Sequence, residues 1–164
     1  EVFDQIPTIV DKKLNFLVII DDSKEMFQAL RYASIRSRRS NGNVVILYTF
    51  NNLEFSHWKS VENIAELELK EEAEHKIKEL EDFVFELSLK KPLKYIMKGD
   101  RIDCIINFLD ENKFVSNLIL AASASSSGPG PLISEFTGKS RLRLKVPLTI
   151  IPSNLTEEQI DNLF

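Results

Sequence analysis

Five short apolar runs recur along the 164-residue chain, each followed by a stretch of helical character, and few folds accommodate that alternation. The runs are "LNFLVIID" (14–21), "NVVILYTF" (43–50), "KPLKYIMKG" (91–99), "VSNLILAA" (115–122) and "VPLTIIP" (146–152). The first two, rich in Val and Ile and bounded by charge or polar residues, have the composition of strands buried on both faces of a parallel sheet. After the first run, Met26, Leu30, Ala33 and Ile35 fall at mostly helical spacings. Asp22 or Ser23 is available as N-cap and "SNG" as a stop. From Val61 to Leu89 one long amphipathic helix is expected, its core face made of Ile64, Leu67, Ala73, Ile77, Leu80, Val84 and Leu87 and its Glu/Lys-rich remainder solvated. "RIDCIINFLDENK" supplies a third helix and "LISEFTGKSRLRL" a fourth.

Strands and helices alternating at this spacing imply right-handed crossovers. The expected fold is α/β: a doubly wound, five-stranded parallel sheet of order 3-2-1-4-5 with helices on both faces. Pro147 and Pro152 bracket the last strand and assign it to an edge, where a missing N–H is tolerated. The expected organisation is an N-terminal extension (1–13), one α/β domain (14–152) and a C-terminal amphipathic helix (153–164). That last helix opens with a capping box from Asn154 or Thr156 ahead of Glu157 and Glu158. Its apolar Leu155, Ile160, Leu163 and Phe164 need a surface to cover them, on the chain's own body or on a second copy, and a homodimer is expected.

Composition narrows the partners. The net charge of −4 and pI near 5.3 come with basic residues interleaved with acids, which argues against nucleic acid. No stretch approaches 18 uninterrupted apolar residues, so no membrane partner is expected. A lone cysteine, Cys104, forms no internal disulfide and fits a reducing, cytoplasmic setting. The opening "EVFDQIPTIVDKK" is too acidic for a signal peptide, and because it starts at Glu1, residues upstream are expected to have been removed or to lie beyond this sequence.

The functional expectation rests on where glycine sits. Three of the five glycines fall in "SSSGPGPLISEFTGKS" (125–140), just after the fourth apolar run. In open parallel sheets, ligands bind beyond the carboxyl ends of the strands where strand order reverses. With order 3-2-1-4-5 the loops after strands one and four face each other there. They carry Asp21, Asp22 and Ser23 on one side and Ser125, Ser126, Ser127, Gly128 and Gly130 on the other. Hydroxyls, unpaired amides and glycines that permit close backbone approach suit a phosphate, and Pro131 suits the first helical position. Lys139 and Ser140, one to two turns on, are candidates to reach a phosphate oxygen.

These residues also carry a resemblance. "LVIIDDSKEMFQALRYA" resembles the opening strand, V-D-x-S loop and helix of the universal stress protein family, and "GDRIDCIINFL" and "VPLTIIP" are similar to its later segments. The resemblance spans about residues 14–152. Most similar is an alphaproteobacterial subgroup with a "GPGPL" loop, a "TGK" and an "LTEEQID"-like tail. ATP-binding members carry G-x-x-G, nine residues, then G followed by Ser or Thr. Here nine residues separate Gly128 from Gly138, while Ser125 stands at the first glycine and Lys139 where Ser or Thr is usual, with Ser140 next. The resemblance implies a stress-response module binding ATP, with Mg²⁺, or a related adenine nucleotide. It implies Asp21 at the base or ribose, Thr49, Met97 and Gly99 flanking the site, and Gly128 with Ser126 and Ser127 at the phosphates. Lys139 and Ser140 would stand near the outer phosphates. Hydrolysis would be slow at most, with no dedicated catalytic or metal-ligating residue.

Two rivals stand beside this reading. One is a dimeric interaction module of the same fold whose altered pocket holds no nucleotide. The other is a phosphoacceptor receiver domain, for which Asp21 and Asp22 would hold Mg²⁺. A receiver also needs an Asp ending the third strand and a Lys after the fifth, and this chain has "MKGD" and "PSN" there. Nucleophile elbow, metal-ligand spacing and Walker A loop are absent: the GKS at 138–140 lacks the glycine spacing and is expected within the fourth helix. His75 reads as a surface residue of the long helix, and His57, beside Phe55 and Trp58, as packing or a lid.

Overall fold

The computed structural model describes residues 13–51 and 59–163. Residues 1–12 of the expected extension, the segment with His57, and Phe164 lie outside the described residues. Strands β1 (Asn15–Ile20), β2 (Asn43–Phe50), β3 (Leu93–Lys98), β4 (Asn117–Ala121) and β5 (Leu148–Ile151) alternate with helices α1 (Met26–Ser40), α2 (Lys59–Ser88), α3 (Arg101–Glu111), α4 (Pro131–Thr137) and α5 (Glu157–Asp161). The strands pair in parallel in the order β3-β2-β1-β4-β5, as expected.

The two-residue period of β1 divides the core. Phe16, Val18 and Ile20 pack with Leu30 of α1, Ile77 and Val84 of α2 and Ile160 of α5, while Leu17 and Ile19 pack with Ile105 and Phe108 of α3 and Ile133 and Phe136 of α4. Each such side chain, fully withdrawn from water, contributes on the order of 1.5–3 kcal/mol. Between α1 and β2 the chain turns on Asn41, in the left-handed region at φ 53°, and on Gly42, where a Cβ would stand 2.0 Å from the Leu14 carbonyl oxygen. Among the described residues no helix is long and apolar enough to cross a membrane.

Four local expectations are corrected. α1 begins at Met26 with Glu25 in the cap position and no side-chain cap, because the loop before it closes on Asp21 instead. α2 begins at Lys59, and among its described side chains the buried ones start at Ala73: Ile64 and Leu67 are 60% and 62% exposed, because three-and-four spacing back from Ala73 leads to Leu69 and Glu66, and Ile64 and Leu67 lie off that stripe. α4 stops at Thr137, with turns from Gly138 to Arg143, so the GKS follows the helix rather than lying inside it. Ser140 secures that stop, its N–H donating to the Glu135 carbonyl (2.9 Å) and its hydroxyl to the Glu135 carboxylate (2.6 Å).

The capping box of α5 is made by Thr156 with Gln159, not with an adjacent glutamate. α5 docks on its own body: Ile160 is fully buried, Gln28 Nε2 donates to the Leu155 carbonyl, and Arg31 grips Asp161 through two hydrogen bonds of 2.7 Å.

Candidate functional site

The order of the sheet reverses between β1 and β4, and the loops leaving those two strands frame one cleft. On the β1 side, Asp21 Oδ1 accepts from the Ser23 N–H (2.9 Å) and the Ser23 hydroxyl (2.5 Å), an Asx turn that holds the chain open ahead of α1. Met26 Sδ accepts from the Asp21 N–H at 3.4 Å and, with Ala29, forms the apolar wall. On the β4 side, the Ser123 N–H donates to the Pro129 carbonyl (2.9 Å), and the Ser125 and Ser127 hydroxyls share a 2.7 Å hydrogen bond. Gly128 and Gly130 take φ values of 133° and 111°, with open space where a Cβ would be. Ser125 avoids positive φ. Pro131 is the first residue of α4.

Of the residues singled out from the sequence, Asp21, Ser23 and Gly130 line this cleft. Ser125, Ser126, Ser127 and Gly128 form the exposed or half-exposed rim of its loop. Asp22 turns outward, where Lys76 Nζ of α2 donates to its carboxylate. Thr49, Met97 and Gly99 end β2 and β3 beside the cleft without lining it: Thr49 is buried and its hydroxyl accepts from Arg101 Nε (3.3 Å), Met97 packs toward α3, and the Gly99 N–H donates to the Phe50 carbonyl (2.8 Å). Gly138 caps α4. Lys139 and Ser140 border a different depression, with Asp100, Asp103, Glu135 and Arg143, and the Ser140 side chain is buried against Glu135.

The cleft encloses about 40 Å³, room for roughly three waters. Its walls include Met26, Pro129 and Pro131, which sequence reasoning did not count as site residues although both prolines sit inside the glycine loop. Outside the cleft, Arg101 stands over the end of β2, where Tyr48 has its hydroxyl pushed above the usual range chiefly by burial, with Glu72 adding and Arg101 opposing. Cys104 is buried behind the β3 turn, and burial, with Asp100 and Asp103 behind it, raises its thiol above the usual range and away from thiolate chemistry.

No protein-family model matches the chain, and the search of curated proteins finds no match either. Solved structures do match. Universal stress protein UspA from Lactobacillus plantarum superposes with a TM-score of 0.67 at 19% identity, over 85% of this chain and 98% of that one. The fold is that of the universal stress proteins. A universal stress protein family member from Burkholderia pseudomallei gives 0.61 at 13% identity, over 85% and 96%. A universal stress protein solved in complex with cAMP gives 0.59 at 15% identity, over 84% and 95%. Identities this low establish the universal-stress-protein fold and nothing finer.

Proposed function

We propose that this chain is a universal-stress-protein-like module that takes an adenine nucleotide at the β1–β4 switch point and responds by changing its contacts with partners. The observation that carries the reading is the meeting of the Asp21–Ser23 turn and the Gly128–Gly130 loop across one cleft at the carboxyl ends of the central strands. The structural neighbour solved with cAMP supports the ligand class. A drug-sized ligand ordinarily fills some 300–1,000 Å³. With about 40 Å³ enclosed, the nucleotide would lie across the rim serines and glycine amides rather than inside. Asp21 would accept from a ribose hydroxyl or the base, and the loop amides would meet phosphate. Neither Lys139 nor Ser140 takes part in this arrangement. Any Mg²⁺ would be held by the phosphates it accompanies.

A second reading, a dimeric interaction module that binds no nucleotide, is favoured by the small cavity and by the engagement of Ser140 with Glu135. Thermal denaturation with Mg-ATP and with cAMP separates the two. At a hundredfold excess over its dissociation constant a bound nucleotide adds about 2.7 kcal/mol to stability. The Gly130→Val variant, which places a branched side chain in the mouth, should lose that gain while still unfolding cooperatively. No shift with either nucleotide at millimolar concentration would leave the second reading standing.

A further inference from the structure

The turn between α1 and β2 carries Asn41–Gly42, the one Asn-Gly pair in the sequence. Such a pair is the peptide unit most prone to cyclise. The glycine nitrogen gives up its proton and attacks the asparagine Cγ, the bond from Cγ to the side-chain nitrogen breaks, ammonia leaves, and water opens the succinimide to aspartate or isoaspartate. Both residues are required where they stand. Asn41 sits at φ 53° and ψ 33°, a left-handed conformation that asparagine adopts more readily than most residues, and at Gly42 a Cβ would meet the Leu14 carbonyl oxygen at 2.0 Å.

Lys90 is set against this turn from the far end of α2. Leu89 takes φ 62° there, and the buried Ser88 hydroxyl donates to the Lys90 carbonyl (2.9 Å) and accepts from the Lys90 N–H (3.2 Å), which fixes the backbone from which the side chain reaches across. The Lys90 ammonium donates to the Asn41 side-chain oxygen (2.7 Å), the Gly42 carbonyl (3.2 Å) and the Asn41 carbonyl (3.3 Å). An ammonium has three N–H groups, and all three acceptors belong to this one turn. The Gly42 nitrogen is engaged as well, donating to the Ser37 carbonyl at 2.8 Å. Cyclisation needs the Asn41 Cβ and the Gly42 nitrogen on the same side of the Cα–C bond, and at ψ 33° they stand nearly opposite. The closed turn cannot react. It must first open, which breaks the Lys90 contacts and the Gly42–Ser37 hydrogen bond together.

We infer that Asn41 is a site of spontaneous deamidation whose rate Lys90 sets by holding the turn closed. The two products differ in consequence. An aspartate at this position leaves the main chain unchanged and offers Lys90 a carboxylate in place of a carboxamide. An isoaspartate adds one main-chain atom ahead of Gly42, at the point where the Asn43 N–H donates to the Leu14 carbonyl (2.9 Å) and the pairing of β1 with β2 begins. The site lies at the amino ends of the strands, away from the switch-point cleft, and does not depend on nucleotide binding.

Ageing the intact chain in mildly alkaline buffer, with peptide mapping by mass spectrometry to follow deamidation at Asn41, tests it. The native chain should react about tenfold or more slowly than the same chain in urea. Lys90→Ala should speed the native reaction about tenfold, the weight of one charge-assisted hydrogen bond, while Lys90→Arg, which keeps a cationic donor, should stay slow. Hydrogen exchange on freshly prepared protein separates local from global opening: in Lys90→Ala the Gly42 amide should lose protection and the Leu17 amide should keep it. Native deamidation as fast as in urea, a Lys90→Ala rate equal to wild type, or protection lost at Leu17 together with Gly42 overturns the inference.

Discussion

Strands β1 and β5 arise from similar apolar runs and end in different situations. All six residues of β1 are buried, whereas of the four in β5 only Ile151 is buried and Ile150 is 39% exposed. Composition does not distinguish "NFLVII" from "LTII"; place in the sheet does. β1 is paired on both sides and covered by helices on both faces, while β5 pairs only with β4 and is bracketed by Pro147 and Pro152. The same difference locates chemistry. The turn leaving β1 opens into the cleft at the reversal point, and the residues leaving β5 lead only to the helix that straps the chain together.

The largest effect that tests this contrast is Leu17→Ala. Leu17 is fully buried at the centre of the sheet, and truncating such a residue costs about 2–5 kcal/mol, read as a lower denaturant midpoint at unchanged slope. A loss below about 1 kcal/mol would mean that β1 is not the doubly covered strand described here.

How much of this was legible beforehand follows from what each signal depends on. The five strands and the edge position of β5 were readable because apolar runs and proline placement are local consequences of burial, whereas the order 3-2-1-4-5 came from the doubly wound fold class and not from any local signal. The exposure of Ile64 and Leu67 was missed because they were grouped with Ala73, Ile77, Leu80 and Val84, although three-and-four spacing back from Ala73 reaches Leu69 and Glu66 instead. For the site, Asp21, Ser23 and Gly130 were found from topology, since a known strand order puts two particular loops together. Lys139 and Ser140 were placed beside them on the assumption of a fourth helix running through residue 144. The helix ends seven residues earlier, the Ser140–Glu135 hydrogen bonds turn the chain away, and both residues border another depression. Whether a helix passes through a Thr-Gly-Lys-Ser stretch or stops at it depends on that tertiary pairing.

A smaller effect comes from the strap that follows β5. The Asp161 carboxyl is held below the ordinary carboxylate range chiefly by its hydrogen bonds from Arg31, burial opposing in part. An acid with a lowered folded-state pKa stabilises fully above its unfolded value, and the contribution disappears as pH falls through the folded one. The Asp161 side chain is 37% exposed, so solvent screening limits the pair to about 1 kcal/mol. Asp161→Asn should cost that amount at neutral pH, and the gap between variant and wild type should close in acid. A gap that persists below the carboxylate range would assign the cost to packing of α5 rather than to the ion pair.

Ile150→Ala carries the smallest expected effect and bears most directly on the comparison. Ile150 lies on an edge strand with 39% of its surface exposed, and its truncation in an isolated chain should cost about 0.5–1 kcal/mol, well below the Leu17 value. That expectation holds only while the outer edge of β5 faces solvent. If a second copy covered that edge, Ile150 would behave as an interior residue, the loss would approach that of Leu17→Ala, and it would grow with protein concentration as dimer stability does. A small, concentration-independent loss therefore keeps β5 as an open edge. A large, concentration-dependent one would make the difference between β1 and β5 a property of the monomer alone.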